Sequence, residues 1–218
     1  LRHLRHGALE VQAAPHVHGD HTGGDENFAK LGVTILARDE LRARLAVPGR
    51  GGPPPARALP ILTYKDRVTF HMNGEGIHLI PVPEPHTDGD TMVYFPKADV
   101  LMTGDFFRSI QYPNIDRANG GSLQGMLNGL AQVVSLAGPN TKIIPGHGPT
   151  VNKTAVSAQR DVIVAVRDRV AKLVAQGQTQ EQVVAAKVLA DFDAKVDQPG
   201  TTGDRFVGQV YAELKGTK

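Results

Sequence analysis

The chain contains no cysteine. That excludes a disulfide, an iron–sulfur cluster, a thiolate-bound zinc and a cysteine nucleophile, and it fits an exported bacterial protein. An excess of one charge is lacking too. Twenty-four Lys and Arg stand against 22 Asp and Glu, so there is no strong electrostatic footprint for nucleic acid. No apolar run is long enough to span a bilayer. The start, Leu1-Arg2-His3-Leu4-Arg5-His6, has no apolar segment behind it and is not a signal peptide. A signal removed before residue 1 would place the protein in the bacterial periplasm or outside the cell, with the cytoplasm as the alternative. What remains is 40% hydrophobic and 21% charged over 218 residues. That is the composition of an ordinary globular protein, expected here as a single domain over 1–218.

Against these absences stands one dense stretch, His16-Val17-His18-Gly19-Asp20-His21. Four metal-capable side chains fall within six residues. In a strand, His16, His18 and Asp20 would share a face. In a turn leaving a strand, all four could converge on one point. A helix would splay His16 and His18 about 200° apart. Gly19, and Thr22-Gly23-Gly24 just after, favour a strand end running into a tight loop. The interleaved Asp and Gly set the cluster apart from an expression tag. Neutral imidazole and carboxylate are ligands that borderline and hard divalent cations prefer.

Leu9-Glu10-Val11 reads as a short strand leading to this motif, and His3 and His6 as surface residues. Beyond it, Asp25–Leu31 reads as a helix stopped by Gly32, Val33–Ala37 as a strand and Asp39–Ala46 as a helix. Pro48–Pro60 is rich in Pro and Gly and reads as a connector, with a mobile flap as the sharper alternative. Arg67–Met72 and Ile77–Val82 flank Asn73-Gly74-Glu75-Gly76, a hairpin signal. Thr91–Phe95 and Val100–Thr103 read as strands, the second ended by Gly104-Asp105, and Arg108–Gly121 as an irregular loop. Ser122 caps a helix to about Ala137, and Thr141–Ile144 is a strand followed by Pro145-Gly146-His147-Gly148-Pro149. The last third reads as helices over Thr154–Gln176, from Thr179 with Gln182 completing a capping box, and over Thr202–Leu214. His86, Asp105 and His147 thus each stand just past a strand, where rigid sheets commonly present sites.

This set resembles the metallo-β-lactamase superfamily: His16-x-His18-x-Asp20-His21, then His86, then Asp105 after Thr103-Gly104, then His147 in Pro-Gly-His-Gly. The resemblance covers about residues 9–150. It implies an α/β fold, the αββα sandwich of that type. Members usually carry several strands before the motif, whereas fifteen residues precede it here. The first strands are therefore expected to be missing or replaced, and a homodimer is one way to cover the edge. The resemblance implies two metals, zinc first with iron or manganese as alternatives. His16, His18 and His86 would hold one, Asp20, His21 and His147 the other, and Asp105 would bridge them.

The best-known lactamases carry cysteine at the Asp105 position. Aspartate there resembles glyoxalase II and lactonases. The implied activity is a dinuclear zinc hydrolase whose metal-activated hydroxide attacks an ester, thioester or lactam carbonyl of a small substrate. Asp20 would orient the hydroxide and carry the proton to the leaving group. Arg108 is the candidate anchor for a substrate carboxylate, with Tyr112 and Asn114 ranked below it. Thr87 and Asp90 are candidates for orienting imidazoles, with a turn cap as the alternative for Asp90. An iron-dependent redox member of the superfamily and a non-catalytic metal-binding protein are the rival readings. Neither nucleic acid nor membrane is expected as a partner.

Overall fold

The computed structural model describes residues 10–48 and 52–216. His3, His6, Leu9 and part of the Pro/Gly-rich connector lie outside them. Among the described residues the chain builds two sheets. The first holds β1 (Val11–Ala13), β2 (Thr34–Arg38) and β3 (Leu62–Tyr64), all parallel, with Val11 opposite Thr34 and Leu36 opposite Leu62. Between its strands run α1 (Gly19–Thr22), α2 (Asp25–Lys30) and α3 (Asp39–Leu45). The second sheet has the order β4 (Val68–Met72), β5 (Glu75–Pro81), β6 (Thr91–Phe95), β7 (Val100–Arg108) and β8 (Lys142–His147). Its pairs are antiparallel except β7 with β8, which a helix-bearing crossover makes parallel. That crossover carries α4 (Leu123–Leu136), and α5 (Lys153–Ala175), α6 (Gln180–Ala185) and α7 (Gly200–Leu214) complete the chain.

The cores define the layers. Leu36, Tyr64, Ile77 and Leu79 bury their side chains between the sheets, backed by Val11, Val68, Phe70 and Val93. Ala14, Ala37 and Leu41 form a small core beneath α3 on the outer side of the first sheet. The largest core lies on the other side of the second sheet. There Leu101, Phe106 and Ile143 meet Met126, Leu130 and Val133 of α4, Ile163, Val166 and Val170 of α5, and Phe206 and Val210 of α7. The order helix, sheet, sheet, helix is the αββα sandwich. Val156, Ile163, Val166 and Val170 recur at helical spacing and are fully buried, so the long α5 is held by one stripe. Each such aliphatic side chain contributes about 1.5–3 kcal/mol on burial.

Several local expectations hold. Ser122 caps α4, and Thr179 and Gln182 form the reciprocal capping box, while α5 starts at Lys153, one residue earlier than read, behind an Asn152 cap that the sequence reading did not name. The β4–β5 hairpin is tighter than expected. Asn73 and Gly74 both take positive φ, so a two-residue turn suffices and Glu75 already pairs with Met72. β3 has no counterpart in the sequence reading, because three residues beside a Pro-rich stretch show no alternation. β7 runs on to Arg108 instead of ending at Thr103, and β8 reaches His147. Gly104 takes φ +62° and shifts the register there, which hides the continuation from a pattern of period two. No helix among the described residues is long and apolar enough to cross a membrane.

Candidate metal centre

Four segments bring the predicted residues together. The first motif leaves β1 at Ala13, bends through His16–His18 and enters α1, so Asp20 and His21 sit on a helical turn and not on a strand face. His86 follows β5 in a turn held by Asp90. The Asp90 carboxylate accepts from the backbone N–H of His86 and Thr87, both at 2.7 Å, and from Thr87 Oγ1 at 3.1 Å. Burial pushes the Asp90 carboxyl up to about 7, against the pull of those three bonds. Asp90 and Thr87 therefore cap the turn that presents His86 and position the imidazole through the backbone. Asp105 lies inside β7 and His147 closes β8.

The seven side chains form two groups sharing one residue. His16, His18, His86 and Asp105 bring one ligand atom each within 4.8 Å of one another, and Asp20, His21, Asp105 and His147 do the same. Asp105 Oδ2 stands 3.9 Å from both His16 Nε2 and His86 Nε2 and 3.2 Å from His147 Nε2, while Oδ1 is 3.1 Å from His21 Nε2. Asp20 Oδ2 is 3.1 Å from His147 Nε2.

The hydrogen bonds around the rings say which nitrogens are left to coordinate. His18 Nε2 is bonded to Asp116 Oδ2 at 2.7 Å, leaving Nδ1 inward. His86 Nδ1 is bonded to the Asn114 carbonyl at 2.6 Å, leaving Nε2 inward, 3.0 Å from His18 Nδ1. His16 is fully buried and both its ring nitrogens lack a hydrogen-bond partner. An orphaned buried polar atom is costly unless something else satisfies it, and a cation fits that gap.

The electrostatics agree. Burial and the neighbouring imidazoles drive the His16 pKa well below its ordinary value, and burial takes His86 down to about 4. Both are thus neutral and able to ligate at pH 7. The Asp116 hydrogen bond raises that of His18. Burial alone would raise Asp105. The His21 hydrogen bond and the Arg108 charge outweigh it and hold the carboxyl well below the usual range. Gly146 is the packing condition for this carboxylate. A Cβ there would fall on Asp105 Oδ1, so only glycine lets β8 approach so closely.

The three residues expected to meet substrate have these partners. Arg108 donates from its guanidinium to Asp105 Oδ2 and, at 3.2 Å, to Gln111 Oε1, with its side chain 13% exposed. It is neither free for an anion nor loose in solvent. Tyr112 is buried in the core, stacked on Phe206, with its hydroxyl donating to Asp193 at 2.7 Å. The Asn114 amide oxygen accepts from Gln209 Nε2 at 2.8 Å, and its backbone oxygen is the partner of His86. Asp116 had no sequence signal, since it lies 98 residues from the histidine it orients.

A profile of the metallo-beta-lactamase superfamily matches residues 16–164. No curated protein matches the sequence. Among solved structures, the metallo-beta-lactamase from Pontibacter korlensis superposes with a TM-score of 0.59 at 20% identity, over 71% of this chain and 68% of that one. DIM-1 metallo-beta-lactamase gives 0.57 at 18% identity, over 69% and 67%. The stereoselective inverting sec-alkylsulfatase Pisa1 from Pseudomonas sp. gives 0.69 at 18% identity, over 96% of this chain and 42% of that one. Identities this low carry the fold alone, whereas the profile spans the motif, the His86 turn, Asp105 and His147. By that match the chain belongs to the metallo-beta-lactamase superfamily.

Proposed function

We propose that the protein is a dinuclear metal-dependent hydrolase, with zinc as the first candidate, acting on an ester, thioester or lactam carbonyl of a small substrate. The observation that carries this reading is the pair of ligand-type groups sharing Asp105. His16, His18 through Nδ1 and His86 through Nε2 would hold one cation, and Asp20, His21 and His147 the other, with Asp105 common to both. Such a pair supplies Lewis acidity and lowers the pKa of water towards 7.

The chain's own groups do the rest. Asp116 and the Asn114 carbonyl fix two ring orientations before any ligand arrives, which removes a reorganisation cost. The Asp20 side chain is 51% exposed, and in this reading its Oδ2 holds a proton and passes it to a leaving group. Zinc-reconstituted protein tested on esters, thioesters, lactones and lactams is the direct experiment. The likeness to a sec-alkylsulfatase over nearly the whole chain adds secondary alkyl sulfates to that panel. Turnover that requires metal supports the reading. Iron in the purified protein, with oxygen consumption and no hydrolysis, would replace it by the redox alternative.

A further inference from the structure

A cavity of about 490 Å³ opens between the 114–117 loop and α7, bordered by Asn114, Asp116, Arg117, Asp204, Arg205 and Gln209 among others. It adjoins the metal centre. Its Asp116 carboxylate holds His18, and both are reached by solvent, with side chains 20% and 28% exposed. The charges around it are unevenly committed. Asp116 accepts from His18 and from Asn119, and Asp204 holds Lys187 at 3.1 Å. Arg205 is exposed and has no hydrogen-bond or ion-pair partner among the described residues. It stands one helical turn before Gln209, which donates to Asn114 and accepts from the Ile115 N–H at 3.0 Å. Residues four apart share a helix face, so Arg205 faces the same loop. Partial desolvation of its guanidinium by the surrounding cavity wall, and then the charge of Arg108, lower its pKa although the residue as a whole is exposed. Of these two guanidiniums, Asp105 compensates that of Arg108.

We propose that Arg205, and not Arg108, anchors an anionic group of the substrate, a carboxylate or phosphate held in this cavity while the scissile bond lies at the Asp105 cluster. This rests on the hydrolase reading above and narrows it to acidic substrates. The guanidinium is suited to the task because its planar fork matches both oxyanions with two parallel hydrogen bonds.

Binding separates the anchor from catalysis. The full chain, reconstituted with zinc, is titrated calorimetrically with butyrate, with straight-chain dicarboxylates from succinate to adipate, and with 3-phosphonopropionate. One of the two-headed ligands should bind at least about 10-fold tighter than butyrate, and whichever oxyanion gives the gain assigns the class. Arg205→Gln should abolish that preference and leave butyrate affinity unchanged. Arg205→Lys should keep part of it. Because Arg205 is exposed, unchanged melting temperatures should accompany both substitutions. No preference in the native protein, or a preference that survives Arg205→Gln, overturns the proposal. Loss of the preference in Arg205→Gln together with an inactive hydrolysis panel keeps the anchor and removes the catalytic reading. Turnover without the preference does the reverse.

Discussion

The two halves of the centre are built differently. His16 and His86 are fully buried, and two of the first group's three rings are fixed by a partner outside the cluster. In the other half, the Asp20 and His147 side chains are 51% and 39% exposed; they contact each other and His21, and His147 also reaches Asp105. The first half is preorganised by the sandwich interior, and the second is assembled at its rim. Binding to a preorganised set costs less ordering of side chains, so the buried group should take the first cation and the rim group the second.

The largest expected effect comes from removing what the halves share. Asp105→Asn keeps volume and drops the charge, so elemental analysis should fall from two equivalents to one or fewer. Affinity of the rim group should weaken by more than about 100-fold, beyond the range of outer partners. Two equivalents with native affinity would mean that Asp105 does not join the halves. Asp116→Ala frees His18 and should weaken only the buried group, by about 10–100-fold in metal Kd. An equal loss at the rim would erase the distinction. Chelator titration of the native protein should release metal in two phases separated by about 10-fold in affinity, rim first, and a single phase would show the halves to be equivalent.

A separate effect, on stability and not on metal, concerns another buried carboxylate. Asp105 is held low by His21 and by the Arg108 charge. Asp25 lies at the start of α2 with Gln12 Nε2 at 2.7 Å as its partner, and burial raises its carboxyl to about 6 from 3.8. The folded state therefore keeps that proton more tightly than the unfolded chain. The stabilisation is fully present below about pH 4 and is lost as pH rises through 6, a change on the order of 2–3 kcal/mol. Asp25→Asn should flatten this. Its melting temperature should exceed the native one at pH 7.5, match it near pH 4, and leave metal content unchanged. A native melting curve independent of pH across that window would contradict the assignment.

Much of this was legible in the sequence because the signals are local. Caps need a residue and its neighbour three positions on, as at Ser122 and Thr179, and the hairpin signal at Asn73-Gly74 is local too. The metal-type residues announce themselves by chemistry, whatever the conformation, which is why all seven could be named although α1 was not foreseen. The continuation of β7 past Gly104 was hidden because a bulge breaks the alternation on which strand reading depends.

Sequence alone determined the residue types of the centre, the αββα class and the absence of a thiolate ligand. Tertiary structure decided which ring nitrogen each histidine keeps for a ligand, that Gly146 must be glycine, that Tyr112 turns into the core, and that Arg108 is spent on Asp105 while Arg205 is not. Each of those depends on a partner tens of residues away or on the direction of a side chain. Such facts follow from how the layers pack, not from the order of residues along one strand or helix.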